Sequence, residues 1–253
     1  MTNHKLTIGW LYPEFMNIYG DRGNILVLQK RCTWRGLKAE VKLLELGFSE
    51  KELYNCDILM MGGAQDLQQK IVSDDLLPKR KALSSIIEAG VPGLYVCGAY
   101  QFLGNYYKDA DGKIIEGLKI FDLHTVNPGE KSKRLIGNLT TRISMSIDSP
   151  LTTLVGFENH GGRTYLGKKV KSLAKVLNGH GNNGEDLTEG AFYKNSIGTY
   201  MHGPILPKNP HLADYLIKCA LQMKDRSAIL PLLDDTVELN AHKAIAKRMG
   251  IEI

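Results

Sequence analysis

Gly93-Leu94-Tyr95-Val96-Cys97-Gly98-Ala99-Tyr100-Gln101-Phe102-Leu103-Gly104 reads as a strand, a tight turn and a helix start, with a thiol at the apex. Four extended-favouring residues run into Cys97, two small residues follow, and an apolar-periodic segment begins straight after. A thiol at that place faces unpaired helix N-terminal amides, whose partial positive charge favours thiolate over thiol. The same stretch also suits Cys97 as a small buried hydrophobe, the commoner state of a free cysteine. The rest of the chain has to separate the two readings.

Upstream, strands and helices alternate. Residues 6–12 are extended in pattern, Asn24 is a candidate N-cap, and Ile25, Leu28, Gln29 and Cys32 follow at helical spacing until Gly36. Residues 39–46 look extended again, and Cys56-Asp57-Ile58-Leu59-Met60-Met61 is a continuous apolar run ending in Gly62-Gly63, as a fully buried parallel strand would be. One helix is expected over 74–88, closed by Gly90. This alternation predicts a parallel sheet covered on both faces, with ligands bound beyond the carboxyl ends of its strands. Gly62-Gly63 and Cys97 both fall at such ends.

Downstream the character changes. Residues 120–126, 138–147, 154–158, 171–177, 191–194 and 197–201 are short extended candidates between glycine and asparagine turns. They predict a largely antiparallel region that extends or faces the parallel core. Helical period returns over 209–224, Pro231 breaks it, and 237–248 forms a last, basic helix.

The chain has 253 residues, 43% hydrophobic and 23% charged, which is ordinary for a folded globular protein. Its 32 basic residues exceed the 27 acidic ones by 5, too few and too scattered for a nucleic-acid footprint. Cys32, Cys56, Cys97 and Cys219 form no C-x-x-C pair, so neither a zinc ribbon nor a thioredoxin-like site is expected. The first five residues run directly into a strand without a signal-peptide core, and no apolar run approaches the roughly 18 to 20 residues that cross a bilayer. A cytoplasmic protein with reduced thiols is expected.

Two nucleotide-like motifs fail on inspection. Gly179-His180-Gly181-Asn182-Asn183-Gly184 matches G-x-G-x-x-G, but no room for a helix follows it. The segment from Gly162 to Lys168 resembles a P-loop until Lys169 takes the place of the magnesium-binding hydroxyl. An ATP-dependent step would therefore fall to another chain. Among seven histidines, His202 in Gly198-Thr199-Tyr200-Met201-His202-Gly203-Pro204 combines a strand end with a rigid turn and could deprotonate Cys97. His160, in Phe157-Glu158-Asn159-His160-Gly161-Gly162-Arg163, competes for that role.

Taken together, the glycine pair after a buried strand, the Cys97 elbow with Gln101 four residues later, Gly156-Phe157-Glu158-Asn159-His160-Gly161 and Tyr200-Met201-His202-Gly203-Pro204 resemble the class I glutamine amidotransferases of the cobyric-acid-synthase-like branch. Within it, the chain is most similar to the glutaminase subunits of lipid II isoglutaminyl synthases. The resemblance runs from the first strand to about residue 210 and implies a flavodoxin-like fold with a mostly parallel sheet, added antiparallel strands and a C-terminal helical tail. It implies an amidotransferase domain over 1–205, with helices of 206–253 packed on it or extending it. It further implies that Cys97 attacks the glutamine amide, that His202 moves the proton, and that N–H groups of Gly63 and Gly98 hold the oxyanion. Gln101 and Arg134 fall on substrate-contacting positions.

No cofactor is implied on this chain. ATP and magnesium are expected on a Mur-ligase-like synthetase partner in a heterodimer, which acts on lipid II and would hold the pair at the inner face of the membrane. An amide donor of corrinoid type and a non-catalytic scaffold are the alternatives. Many class I enzymes carry a glutamate two residues after the histidine, where this chain has Pro204, and Ala99 replaces the usual glycine after Cys-Gly. The orienting partner of His202 is therefore open between Glu158, Asp21 and none.

Overall fold

The strand and helix alternation of the first hundred residues produces a parallel sheet. The computed structural model describes residues 5–64, 66–129 and 131–252, with backbone alone at 66 and 67. Chain order begins with β1 (Lys5–Leu11), α1 (Arg22–Trp34), β2 (Lys38–Leu44) and α2 (Glu50–Tyr54), whose start is fixed by a Ser49 and Glu52 capping box. Next come β3 (Ile58–Met61), α3 (Asp66–Leu76), α4 (Arg80–Glu88), β4 (Gly93–Val96) and α5 (Gly98–Phe102). Then follow β5 (Tyr106–Lys108), β6 (Ile114–Glu116), β7 (Leu123–Val126), β8 (Leu135–Ile143), β9 (Thr153–His160) and β10 (Arg163–Leu166). The chain closes with β11 (Ala174–Asn178), β12 (Thr188–Glu189), β13 (Ala191–Tyr193), β14 (Ser196–Thr199), α6 (Pro210–Lys224) and α7 (Thr236–Arg248).

The central sheet has the order β13-β14-β4-β3-β1-β2, parallel except for β13. From β1 the chain first adds β2 on one side and then β3 on the other, so strand order reverses beside β1. A binding crevice opens at the carboxyl ends there. Side chains alternate between two cores. Leu6, Ile8 and Trp10 pack with α1 and α6, while Leu11, Leu59, Met61 and Tyr95 pack with Leu76, Leu83 and Ile87 on the opposite face. Two further four-stranded sheets, β10-β7-β5-β6 and β12-β11-β8-β9, are mostly antiparallel.

Two expectations need correction. The helix expected over 74–88 is two helices separated by a 3₁₀ turn at Leu77–Lys79, because Pro78 supplies no amide hydrogen and its ring crowds the preceding turn. The extended segment 197–201 does not belong to the antiparallel region. As β14 it pairs in parallel with β4, Gly198 opposite Tyr95, which brings the strand end before His202 next to the strand end at Cys97.

Beyond β14, α6 lies along α1, and the tail is tied back by a buried guanidinium. Arg31, 1% exposed, donates to both carboxylate oxygens of Asp214 on α6 and both of Asp235 ahead of α7. Its removal leaves two partly buried carboxylates facing each other, with Arg35 still holding Asp214. Arg31→Ala is therefore expected to cost about 3 kcal/mol, seen as a lower urea midpoint at unchanged slope. Among the described residues, no helix is long and apolar enough to cross a membrane.

Candidate active site

Cys97 occupies a backbone conformation that side chains rarely adopt, φ 52° and ψ −106°. Two backbone bonds hold it there: its N–H donates to Thr199 at 2.8 Å, and its carbonyl accepts from Gln101 N–H at 3.0 Å. The parallel pairing of β4 with β14 supplies the first and the opening turn of α5 the second. The thiol is thus presented at the rim rather than folded into the core.

His202 reaches the same rim along a two-residue bridge to β9, exchanging hydrogen bonds with Phe157 of 3.3 and 2.7 Å. Its ring is fully buried, and its Nδ1 stands 3.5 Å from Asp21 Oδ1, close but longer than a formed hydrogen bond. A methyl group placed on Gly63 would lie 3.2 Å from Cys97 Cβ and 3.3 Å from His202 Cε1, so the two side chains converge over that glycine. Burial by itself would lower the His202 pKa. A Cys97 thiolate and the Asp21 carboxylate outweigh it and hold the imidazole above its usual range. Cys97, His202 and Asp21 thus stand in one row, with the imidazole between the other two.

The expected oxyanion donors divide. The Gly63 N–H donates to Asp21 Oδ2 at 2.7 Å, so it is not free to meet an oxyanion. The next amide is better placed: Ala64 lines the cavity, and its nitrogen lies 3.2 Å from where a Gly98 Cβ would stand. That close approach, with Gln69 Nε2 at 2.6 Å from the same point, leaves little room for a side chain at position 98. The Ala64 amide therefore stands beside Gly98 at the cavity, where the Gly63 amide is already engaged.

Glu158 does not orient His202. Alternation along β9 points Phe157 toward His202 and Glu158 to the other side. There its carboxylate accepts the N–H groups of His180 at 2.7 Å and Gly181 at 2.8 Å. The G-x-G-x-x-G match is accordingly an anion-binding turn whose anion is the protein's own Glu158, with Gly179 and Gly181 at φ +117° and +68°. His160 is part of the wall. Its Nδ1 donates to Gly162 O at 2.8 Å, its ring stacks on Tyr200 at 3.6 Å, and burial lowers its pKa against the pull of Glu158. Asp21 is thus the carboxylate that stands at His202.

Beside Cys97 lies a cavity of about 320 Å³, enough for one amino acid. Gln101 and Arg134 both line it. Gln101 is one helical turn past the thiol, with Nε2 donating to Tyr200 at 3.0 Å, and Arg134 donates from Nε and Nη2 to Asn159, 3.0 Å each. Sequence reasoning did not single out Ala64, Tyr19 or Asn159. Tyr19 lies two residues before Asp21, in the loop Asn17-Ile18-Tyr19-Gly20-Asp21.

A flavodoxin-like sheet that carries a strained thiol into a cavity of amino-acid size, with a histidine at its flank, is the layout of class I glutamine amidotransferases. Residues 7–210 match the CobB/CobQ-like glutamine amidotransferase domain, and the chain belongs to that family. It is a glutamine amidotransferase.

Among its relatives, the lipid II isoglutaminyl synthase (glutamine-hydrolyzing) subunit GatD of Staphylococcus aureus is 39% identical, over 97% of this chain and 96% of its own. The GatD subunit of Streptococcus pneumoniae is 40% identical over 92% and 87%. A cobyric acid synthase of Clostridium botulinum is 32% identical over 61% of this chain and 31% of its own length. A solved glutamine amidotransferase superimposes with a TM-score of 0.57 at 13% identity, covering 84% of this chain and 98% of that one. Another from Thermotoga maritima gives 0.52 at 13% identity over 96% and 94%. These two neighbours speak for the fold.

Proposed function

We propose that this chain is the glutaminase subunit of a two-subunit enzyme that amidates lipid II. It hydrolyses L-glutamine to glutamate and passes ammonia to a Mur-ligase-like synthetase, which amidates the α-carboxylate of D-glutamate in the lipid-linked peptidoglycan precursor. The observation that carries this reading is the 39% identity to a GatD subunit across nearly the whole of both chains. The cobyric acid synthases, by contrast, are matched over about a third of their length. ATP and magnesium belong to the partner, and the partner and its lipid substrate hold the pair at the inner face of the membrane.

In the glutaminase step the Cys97 thiolate bonds to the side-chain amide carbon of glutamine, and the carbonyl electrons move to oxygen. Ala64 and Gly98 amides receive that oxyanion; removing one such donor typically costs about 10²- to 10³-fold in rate. As the oxyanion collapses, the carbon–nitrogen bond breaks and His202 gives its proton to the departing ammonia. Water then attacks the thioester while the neutral His202 takes its proton, the carbon–sulfur bond breaks to return the electron pair to Cys97, and glutamate leaves. Asp21 stabilises the imidazolium in the steps where His202 carries the proton.

The test is isotopic. With glutamine carrying heavy nitrogen in its amide, the reconstituted pair is expected to place that label in the lipid carboxamide despite excess unlabelled ammonium. Absence of label from the lipid sinks the assignment, and dilution to the isotope ratio of the bath sinks direct handover.

A further inference from the structure

Tyr19 stands at the cavity wall with Arg134 and Asn159, in a left-handed conformation uncommon for its type, φ 54° and ψ 24°. That turn lays its ring edge-on against His202, with centroids 4.9 Å apart at 72°. Its hydroxyl meets Asn159 Nδ2 at 2.9 Å, across 140 residues of sequence.

The direction of each hydrogen bond here is forced. A guanidinium only donates, so the Asn159 oxygen must face Arg134, as it does with Nε at 3.0 Å. The amide nitrogen of Asn159 is then the group turned to Tyr19, and it too only donates. The Tyr19 oxygen is therefore the acceptor, and its own O–H proton has no taker among the described residues. Among the cavity-lining residues described, Arg134 carries the permanent charge, and no aspartate or glutamate joins it. The end of the cavity where Tyr19 and Arg134 flank Asn159 therefore offers a positive charge and a hydroxyl donor, a combination suited to an anion.

We infer that Tyr19 is a second donor to the α-carboxylate of glutamine, its O–H bonded there beside the Arg134 guanidinium. The inference rests on the reading of Cys97 as nucleophile and Arg134 as the substrate arginine. It assigns Tyr19 a part in choosing amides that carry a free α-carboxylate, while its ring covers His202 from the solvent side.

The experiment compares two thiol reagents on the purified chain: a diazoketone analogue of L-glutamine, which carries the amino-acid head group, and iodoacetamide, which does not. Labelling of Cys97 is followed by intact mass. Tyr19→Phe keeps the ring over His202 and removes only the hydroxyl. It is expected to slow subsaturating labelling by the diazoketone about tenfold, the size of one hydrogen bond to a charged group, and to leave iodoacetamide labelling unchanged. With the methyl ester of the same diazoketone, the variant and the parent should differ by less than about twofold. Equal slowing with all three reagents, or no slowing with the diazoketone, overturns the inference. If the parent chain itself takes no diazoketone on Cys97, it is the underlying site reading that fails.

Discussion

Cys97→Ala is expected to bring glutamate release down to the uncatalysed background, a loss on the order of 10⁶-fold, in an enzyme-coupled glutamate assay with the synthetase partner present. The size follows from the cavity. Among its described lining residues there is no serine, threonine, lysine or second cysteine to replace the thiol. Without Cys97 the remaining groups can bind glutamine and polarise its amide but cannot form the acyl bond. Release that persists in this variant would remove Cys97 from the mechanism.

The same position carries an opposite effect on stability. At φ 52° and ψ −106° any side chain is strained, whereas glycine is not. Cys97→Gly is therefore expected to be inactive yet more stable by about 1 kcal/mol, raising the melting temperature by about 2 to 4 °C for a chain of this size. A lower melting temperature would show that the elbow holds no strain.

The elbow was legible because its signals are local: four strand residues, a small pair and a helical period within twelve positions. The parallel core was legible for a similar reason, since alternating strands and helices leave few ways to cover a sheet. What escaped depends on distance in sequence. Asp21 and Glu158 were equally good acids for His202 on paper, and the choice between them was made by the pleat of β9, which turns Phe157 to His202 and Glu158 away. Locally the Gly63 amide reads as free, but Asp21, 42 positions earlier, claims it. Tyr19 was invisible because its role needs Asn159 and Arg134 beside it, and no short window contains the three. The broken helix at Pro78 is different: the proline was in plain view, and the helical period around it was given too much weight.

Asp21→Asn is expected to lower glutaminase turnover by about 10³-fold, with binding of glutamine little changed, because the substitution cannot satisfy both groups that Asp21 serves. One carboxylate oxygen accepts the Gly63 N–H at 2.7 Å and the other faces His202 Nδ1 at 3.5 Å. Asparagine has a single acceptor oxygen, so in either orientation its NH₂ is turned toward a donor. Loss of the negative charge also removes part of what opposes burial at His202, whose pKa falls from its raised value while Cys97 still holds it up. A neutral imidazole stabilises the thiolate less, so iodoacetamide labelling of Cys97 at neutral pH should slow and recover only as alkaline pH ionises the thiol directly. Stability should follow the same sign. The parent's His202 contribution is fully present below about pH 6.5 and is lost as pH rises through the raised pKa, so the stability gap between the two forms is widest in acid and narrows in base. A merely structural Asp21 would lower stability without moving the labelling profile. Turnover within a few-fold of the parent, with that profile unmoved, would leave Cys97 and His202 working as a pair without an orienting acid.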